Sequence, residues 1–261
     1  MRASGLGALW NNAPMIPRFH CPFPLAPGAQ VDLPEAAAHH ALKVLRLKPG
    51  APLILFDGRG GEWQAQIVGA SGTARTAPVR ATLESFDENN NESPLHITLV
   101  QGLPAGDKMD WVVEKSVELG VAVIQPVAAK RSVVKLSAER MARRVTHWNH
   151  IVSAACEQCG RNLVPLVAPV LDLPQYLANA KGQNAIRLLL TPDAEIALRE
   201  LPAPTLPIVF MVGPEGGWDE GEVQAAQVVG FQPIRLGPRV MRTETAGAAV
   251  LAAMQAQWGD F

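Results

Sequence analysis

Hydrophobic and polar positions follow two different periods along this chain. Between residues 51 and 83 the period is two: Ala51–Asp57 is an apolar run ending at Asp57-Gly58, and Gly61–Ala70 (GEWQAQIVGA) and Pro78–Leu83 (PVRATL) alternate. Alternation at every second residue predicts half-buried strands, and the Gly-containing turns between them predict a small barrel. One helical stretch, Pro34–Leu45, opens on a proline suited to a helix start. Residues 86–94 (FDENNNESP) are polar and close on Pro94, the composition of a linker.

From Leu95 the pattern changes. Short apolar runs, most of them rich in β-branched residues, lie at Leu95–Leu103, Val121–Ala128, Ala185–Thr191, Pro207–Gly213 and Phe231–Gly237. Helical stretches separate them. Asp107–Leu119 puts Met109, Val112, Val113 and Val117 on one face, starts at Asp107 with Asp110 three residues on, and stops at Gly120. Asp219–Val229 repeats the arrangement with Asp219, Glu222 and Gly230. Strands buried on both faces and alternating with helices predict an α/β domain with a mainly parallel sheet. The last helix, Thr245–Trp258, carries a small-residue face of Gly247, Ala248 and Ala252, suited to close packing inside the chain or against a second copy.

Composition narrows the classes. Hydrophobic residues make up 48% of the 261, enough for a sizeable core, and charged residues only 18%. With 23 Lys+Arg against 24 Asp+Glu and a net charge of −1, the chain is neither disordered by charge nor a protein that binds nucleic acid through bulk charge. The balance conceals segregation. Segment 128–165 holds Lys130, Arg131, Lys135, Arg140, Arg143, Arg144 and Arg161 against Glu139 and Glu157, whereas Thr191–Glu222 holds seven acids and one Arg. No apolar run approaches the roughly 18 residues of a membrane span, so no membrane partner is expected. Residues 1–14 lack a signal-peptide core and read as a disordered extension or, the favoured reading, as an upstream start with the real one at Met15. Cys21, Cys156 and Cys159 form no disulfide framework, which predicts a reducing, cytoplasmic compartment. Cys156-x-x-Cys159 has no second pair to complete a tetrahedron, and no metal is expected.

In open α/β sheets ligands bind beyond the carboxyl ends of the strands. Three such ends carry unusual sequence: Leu190-Thr191-Pro192-Asp193, GPEGGW at 213–218 after Met211-Val212, and LGPRVMRTETA at 236–246. Their glycines let backbone approach a ligand and offer free N–H groups. Neither glycine-bearing loop is a dinucleotide fingerprint or a P-loop. Each alone reads equally well as a tight turn; two at neighbouring strand ends point to a ligand.

GPEGGW followed by LGPRVMRTETA and an Ala-rich last helix closely resembles the ribosomal RNA small-subunit methyltransferase E family. The resemblance runs from Met15 through nearly the whole chain, with IPRF at 16–19, HHALKVLRLKPG at 39–50, GDKMDWVVEKSVELGV at 106–121, KRSVVKL at 130–136 and EQCGR at 157–161. It implies a PUA-like RNA-binding β-barrel at 15–85, a linker at 86–94, and a SPOUT-type methyltransferase domain at 95–261 with a C-terminal trefoil knot. It further implies S-adenosyl-L-methionine as donor, a homodimer, and methylation of N3 of a uridine in the decoding region of small-subunit (16S) ribosomal RNA, within the small ribosomal subunit.

On that resemblance the cofactor site comprises Leu190, Thr191, Pro192, Val212, Gly213, Pro214, Glu215, Gly216, Gly217, Leu236, Gly237, Val240, Met241, Arg242 and Thr243. Arg242 is the expected charge-stabilising group and Glu244 the base or orienting group, with a helix-end carboxylate favoured by the dipole as the other reading of Glu244. Arg18, Lys43, Arg46, Lys108, Arg131 and Arg161 are the expected RNA contacts. Competing readings are a SPOUT enzyme acting on tRNA or ribose, and a non-catalytic RNA-binding assembly module; intact GPEGG and RTETA loops speak against the latter.

Overall fold

The structure is a computed structural model describing residues 16–70, 78–132 and 137–261. They divide into two units, one within 16–57 and 62–87, the other within 58–61 and 88–261. The expected extension at 1–14 lies outside the described residues.

The first unit is a five-stranded sheet. Its strands are β1 (Arg18–His20), β2 (Gln30–Asp32), β3 (Pro52–Phe56), β4 (Glu62–Ala70) and β5 (Val79–Asp87), in the order β1-β3-β4-β5-β2. The predicted alternation holds: Leu53, Leu55, Trp63, Ala65, Ile67, Val79, Ala81 and Leu83 share one core with Phe19. The helix opens as α1 (Glu35–His39), with Pro34 at its cap position, and widens into a π turn at His40–Val44. β5 runs through Asp87, two residues into the segment expected as a linker, and Phe86 packs on Trp63 with ring centroids 5.0 Å apart. Arg18, an expected RNA contact, pairs through its guanidinium with the buried Glu62 and stacks 5.2 Å from the Phe56 ring centre, which ties β1 to its own sheet. Lys43 and Arg46 are exposed.

The second unit is a parallel sheet. Its strands are β6 (Ile97–Gly102), β7 (Val123–Ala128), β8 (Leu166–Val167), β9 (Leu171–Asp172), β10 (Ile186–Leu190), β11 (Ile208–Val212) and β12 (Gln232–Ile234). The order is β12-β10-β11-β6-β7-β8, with β9 also on β7, and each of these pairings is parallel. Central β11 is buried at every residue, which is why it reads as an unbroken apolar run. Register sets Leu190 beside Ile234, Gln101 beside Val212 and Gly102 beside Val127, so the carboxyl ends finish at one level.

Among the described residues, five α-helices and a 3-10 turn at Leu198–Glu200 complete this unit: α2 (Lys108–Glu118), α3 (Ala138–Cys159), α4 (Leu173–Ala180), α5 (Glu220–Val228) and α6 (Thr243–Trp258). Met109, Val112, Val113 and Val117 of α2 are buried as the spacing predicts, and Gly120 ends the helix with φ +81°. The Asp107 side chain makes no capping bond. Asp110 instead accepts from Trp148 Nε1 (3.1 Å) and pairs with His147 Nε2 (2.7 Å), joining α2 to α3. α5 carries the predicted capping box of Asp219 and Glu222. α6 starts two residues earlier than its pattern, and Gly247 lies against Leu99 inside the chain, where a Cβ would meet Leu99 Cδ2 at 3.5 Å. Among the described residues no helix is long and apolar enough to cross a membrane.

Arg161, expected on the RNA face, is buried. Nε donates to Glu92 Oε2 (2.7 Å), and Nη1 donates to the carbonyls of Val117 (3.0 Å) and Val121 (2.8 Å) at the end of α2. The other Glu92 oxygen accepts from the backbone N–H groups of Asn162 and Leu163, both at 2.9 Å. The polar stretch ahead of β6 is thereby bonded to the α2 and α3 ends. Glu92→Ala should leave the guanidinium buried without its carboxylate and cost about 3–5 kcal/mol in urea unfolding; a midpoint unchanged from the parent would contradict this tie.

Candidate active site

A cavity of about 790 Å³ opens at the carboxyl ends of β10, β11 and β12. Every residue expected at the cofactor site lies on its wall except Gly216, and so does Glu244. Gly216 faces the loop after β7, where its carbonyl accepts from Arg131 Nη1 (2.8 Å) and a Cβ would meet Arg131 Cβ at 3.0 Å. Trp218, Arg239 and Ala246, within the GPEGGW and LGPRVMRTETA segments, also line the wall, as do Val223 and Arg235, which sequence reasoning did not single out. Val223 sits on a helix, where nothing in the sequence marks the side facing a cavity.

A short hydrogen-bond chain holds the loops together. Gln101 is fully buried at the end of β6, and its Nε2 donates to Thr243 Oγ1 (2.9 Å) and to the Gly102 carbonyl (2.9 Å). Thr243 Oγ1 donates in turn to the Gly213 carbonyl (2.5 Å). The close approach explains Gly102, because a Cβ there would stand 2.6 Å from Pro214 Cδ and 2.8 Å from Pro214 N. Within the 213–218 turn, Gly217 N donates to the Pro214 carbonyl (2.8 Å) and adopts φ +67°, a conformation that favours glycine. Arg235 donates to the carbonyls of Ala194 and Glu195 and so joins the first loop to the third.

The charges fall into two sets. Lys108 Nζ, at the start of α2, donates to Glu215 Oε1 (2.7 Å) and lies 3.6 Å from Glu244 Oε2. The hydrogen bond to Glu215 holds the ammonium above its ordinary value. Burial works against the Glu215 carboxylate, yet Lys108 and the backbone N–H groups, that of Ala105 among them, outweigh it and hold the carboxyl below its ordinary value. Lys108 and Arg131 thus belong to the cavity wall, and both are engaged within the chain. Arg239 and Arg242 are exposed at the same cavity, and their guanidinium groups have no polar partner among the described residues.

The basic segment 128–165 is largely engaged internally. Lys130 Nζ donates to Asp219 (2.7 Å), Arg143 pairs with Glu139, and Arg144 donates to the Gly106 carbonyl (3.3 Å). Arg140 is exposed, and Lys135 lies outside the described residues. Cys156 is buried and Cys159 half-buried, and neither is in a disulfide.

The family model for an RNA methyltransferase domain matches residues 91–255, and that for an RNA methyltransferase PUA domain matches residues 33–74. The parallel sheet with its strand-end cavity is therefore that of an RNA methyltransferase. A ribosomal RNA small subunit methyltransferase E from a Synechocystis species is 36% identical over 236 residues, covering 87% of this chain and 73% of that one. The crystal structure of the enzyme of that name from Neisseria gonorrhoeae, bound to S-adenosyl methionine, is 43% identical with a TM-score of 0.85, over 94% of this chain and 99% of that one. A putative methyltransferase from Legionella pneumophila, in complex with the same cofactor, is 37% identical with a TM-score of 0.87, over 94% and 99%. The chain belongs to the ribosomal RNA small subunit methyltransferase E family.

Thr243→Val should leave the Gly213 carbonyl and the Gln101 amide without their shared partner and cost about 1–3 kcal/mol in urea unfolding. Thr245→Val, at an exposed position of the same helix, is the control; equal losses in both would show that Thr243 does not hold the loops together.

Proposed function

We propose that this protein transfers a methyl group from S-adenosyl-L-methionine to N3 of a specific uridine in the decoding region of small-subunit (16S) ribosomal RNA, acting in the cytoplasm as a homodimer. The observation that carries this reading is the cavity of about 790 Å³ enclosed by three strand-end loops, with Arg242 and Glu244 on its wall. Its size lies within the roughly 300–1,000 Å³ of small-molecule sites, and the solved relatives from Neisseria and Legionella hold the same cofactor. The residues present fit such a group. Leu190, Val212 and Leu236 offer apolar flanks for adenine, and backbone groups of Gly213, Gly217, Leu236 and Val240 offer bonds to its edge. A Cβ at Gly217 or Gly237 would meet no protein atom within 4 Å, so both leave open space at the wall. We read the passage from β12 through 235–243 into α6 as the closing pass of a trefoil knot. The partition proposed is a PUA-like RNA-binding barrel at 15–85, a connecting segment at 86–94 and a SPOUT-type domain at 95–261.

When bound, the cofactor supplies an electrophilic sulfonium methyl group. The N3 proton of uracil must leave as the new N–C bond forms. Glu244 accepts that proton and later releases it to solvent, while Arg242 balances the negative charge that develops at O2 or O4. The three loops hold donor and acceptor in line and exclude water. Lys43, Arg46 and Arg131 are the candidate phosphate contacts that remain once Arg18, Lys108 and Arg161 are placed in internal ion pairs.

Incubation with labelled cofactor and unmodified small subunits, followed by mass-spectrometric mapping, should find the methyl on N3 of a decoding-region uridine; methyl on another base or on ribose would overturn the specificity. Arg242→Ala should lower kcat by about 100-fold or more. Gly237→Val should fold with an unchanged melting curve and lose cofactor binding in calorimetry, because its side chain enters open space at the cavity wall; retained affinity would count against the assigned site.

A further inference from the structure

The structure assigns Lys108 a positioning role in catalysis: it holds Glu244 ready to accept the N3 proton and contacts no RNA phosphate. This inference rests on the proposed reading of Glu244 as base.

Three observations converge on it. First, Lys108 stands at the opening residue of α2, where the helix dipole disfavours a cation, and the Asp107 side chain makes no capping bond that would relieve the end. Its ammonium is instead fixed by Glu215 Oε1 at 2.7 Å, and Glu215 is itself held by the Ala105 N–H at 3.0 Å. Second, the same ammonium lies 3.6 Å from Glu244 Oε2, close enough for charge attraction and too far for a hydrogen bond. Glu244 Oε2 is buried and has no hydrogen-bond partner among the described residues, while a fifth of the side chain remains exposed. One carboxylate oxygen is therefore oriented by Lys108, and acceptor capacity remains for a substrate proton. Third, three elements meet at this point: α2 brings Lys108, the 213–218 loop brings Glu215, and the first turn of α6 brings Glu244. An error in any of them misplaces the base.

The charges around Glu244 set the sign of the pH effect. Lys108 faces it from α2 and Glu215 from the loop after β11. Arg131 lines the cavity from the loop after β7, Asp193 from the loop after β10, and Arg235, Arg239 and Arg242 from the last loop. Arg131 and Arg235 are bonded to backbone carbonyls, whereas Lys108 lies between the two glutamates. Without that ammonium two carboxylates share one wall with no cation between them, and such pairs favour one protonated carboxyl. A base that must be ionised then fails at a higher pH than before.

The test uses the full chain with unmodified small subunits, measuring kcat and KM for RNA across pH 6–9 and cofactor affinity by calorimetry. Lys108→Met should lower kcat at neutral pH by about tenfold or more, move the acid limb of the profile to higher pH, and change the KM for RNA by less than about threefold. Lys108→Arg should restore the limb, which a merely structural loss would not do. A Lys108→Met enzyme with raised KM, unchanged kcat and an unmoved limb would make Lys108 a phosphate contact and overturn the inference. Glu244→Gln separates the two claims. If it is inactive while Lys108→Met keeps the parent profile, the positioning role alone falls; if it is fully active, the base assignment falls and the positioning role with it.

Discussion

Thr243 accepts a hydrogen bond from the buried Gln101 amide and donates one to the Gly213 carbonyl, and the cavity depends on that chain of bonds. It joins the end of β6, the loop after β11 and the first turn of α6, which are remote in sequence and contiguous only in the folded unit. Burial makes the chain obligatory. Gln101 is fully enclosed, and an amide there without partners would carry the full cost of desolvation. At the same strand end Gly102 has no room for a side chain, because a Cβ there would collide with Pro214.

Around this fixed centre the charges are arranged by pairing. Lys108 with Glu215, Lys130 with Asp219 and Arg161 with Glu92 each bind one loop or helix end to another. Glu222 does two tasks at once, accepting from Asp219 N (2.9 Å) in the capping box and from Lys130 N (2.8 Å) in the neighbouring loop. Most of the basic segment is therefore bonded within the chain, and Arg239 and Arg242 stand out at the cavity as cations without a partner among the described residues. A chain of net charge −1 is consistent with recognition by a few placed cations and by shape.

Much of this was legible before the structure. Strands β6, β7, β10, β11 and β12 and helices α2, α5 and α6 follow from runs such as IVFMV and from the Met109-Val112-Val113-Val117 spacing, since burial on both faces or on one stripe leaves a direct mark on residue type. Helices α3 and α4 and the two-residue strands β8 and β9 were not expected. The glycine loops were legible because turns of this kind use backbone conformations that favour glycine, as Gly217 does at φ +67°. The partners of the cations were not. Arg18, Lys108 and Arg161 look like surface charges in sequence, and their carboxylates lie 44, 107 and 69 residues away. Gln101 carried a faint signal, a polar residue inside the apolar run ITLVQG, but its partner lies 142 residues on.

The central claim is that the loops at 190–194, 212–218 and 235–243 form one cofactor site held by the Gln101–Thr243–Gly213 bonds. Hydrogen–deuterium exchange with and without S-adenosyl-L-methionine tests it most directly. Added cofactor should slow exchange in all three loops together and leave the strands within 16–70 unchanged. Protection confined to a single loop, or appearing in the first unit and absent from 212–218, would contradict the site.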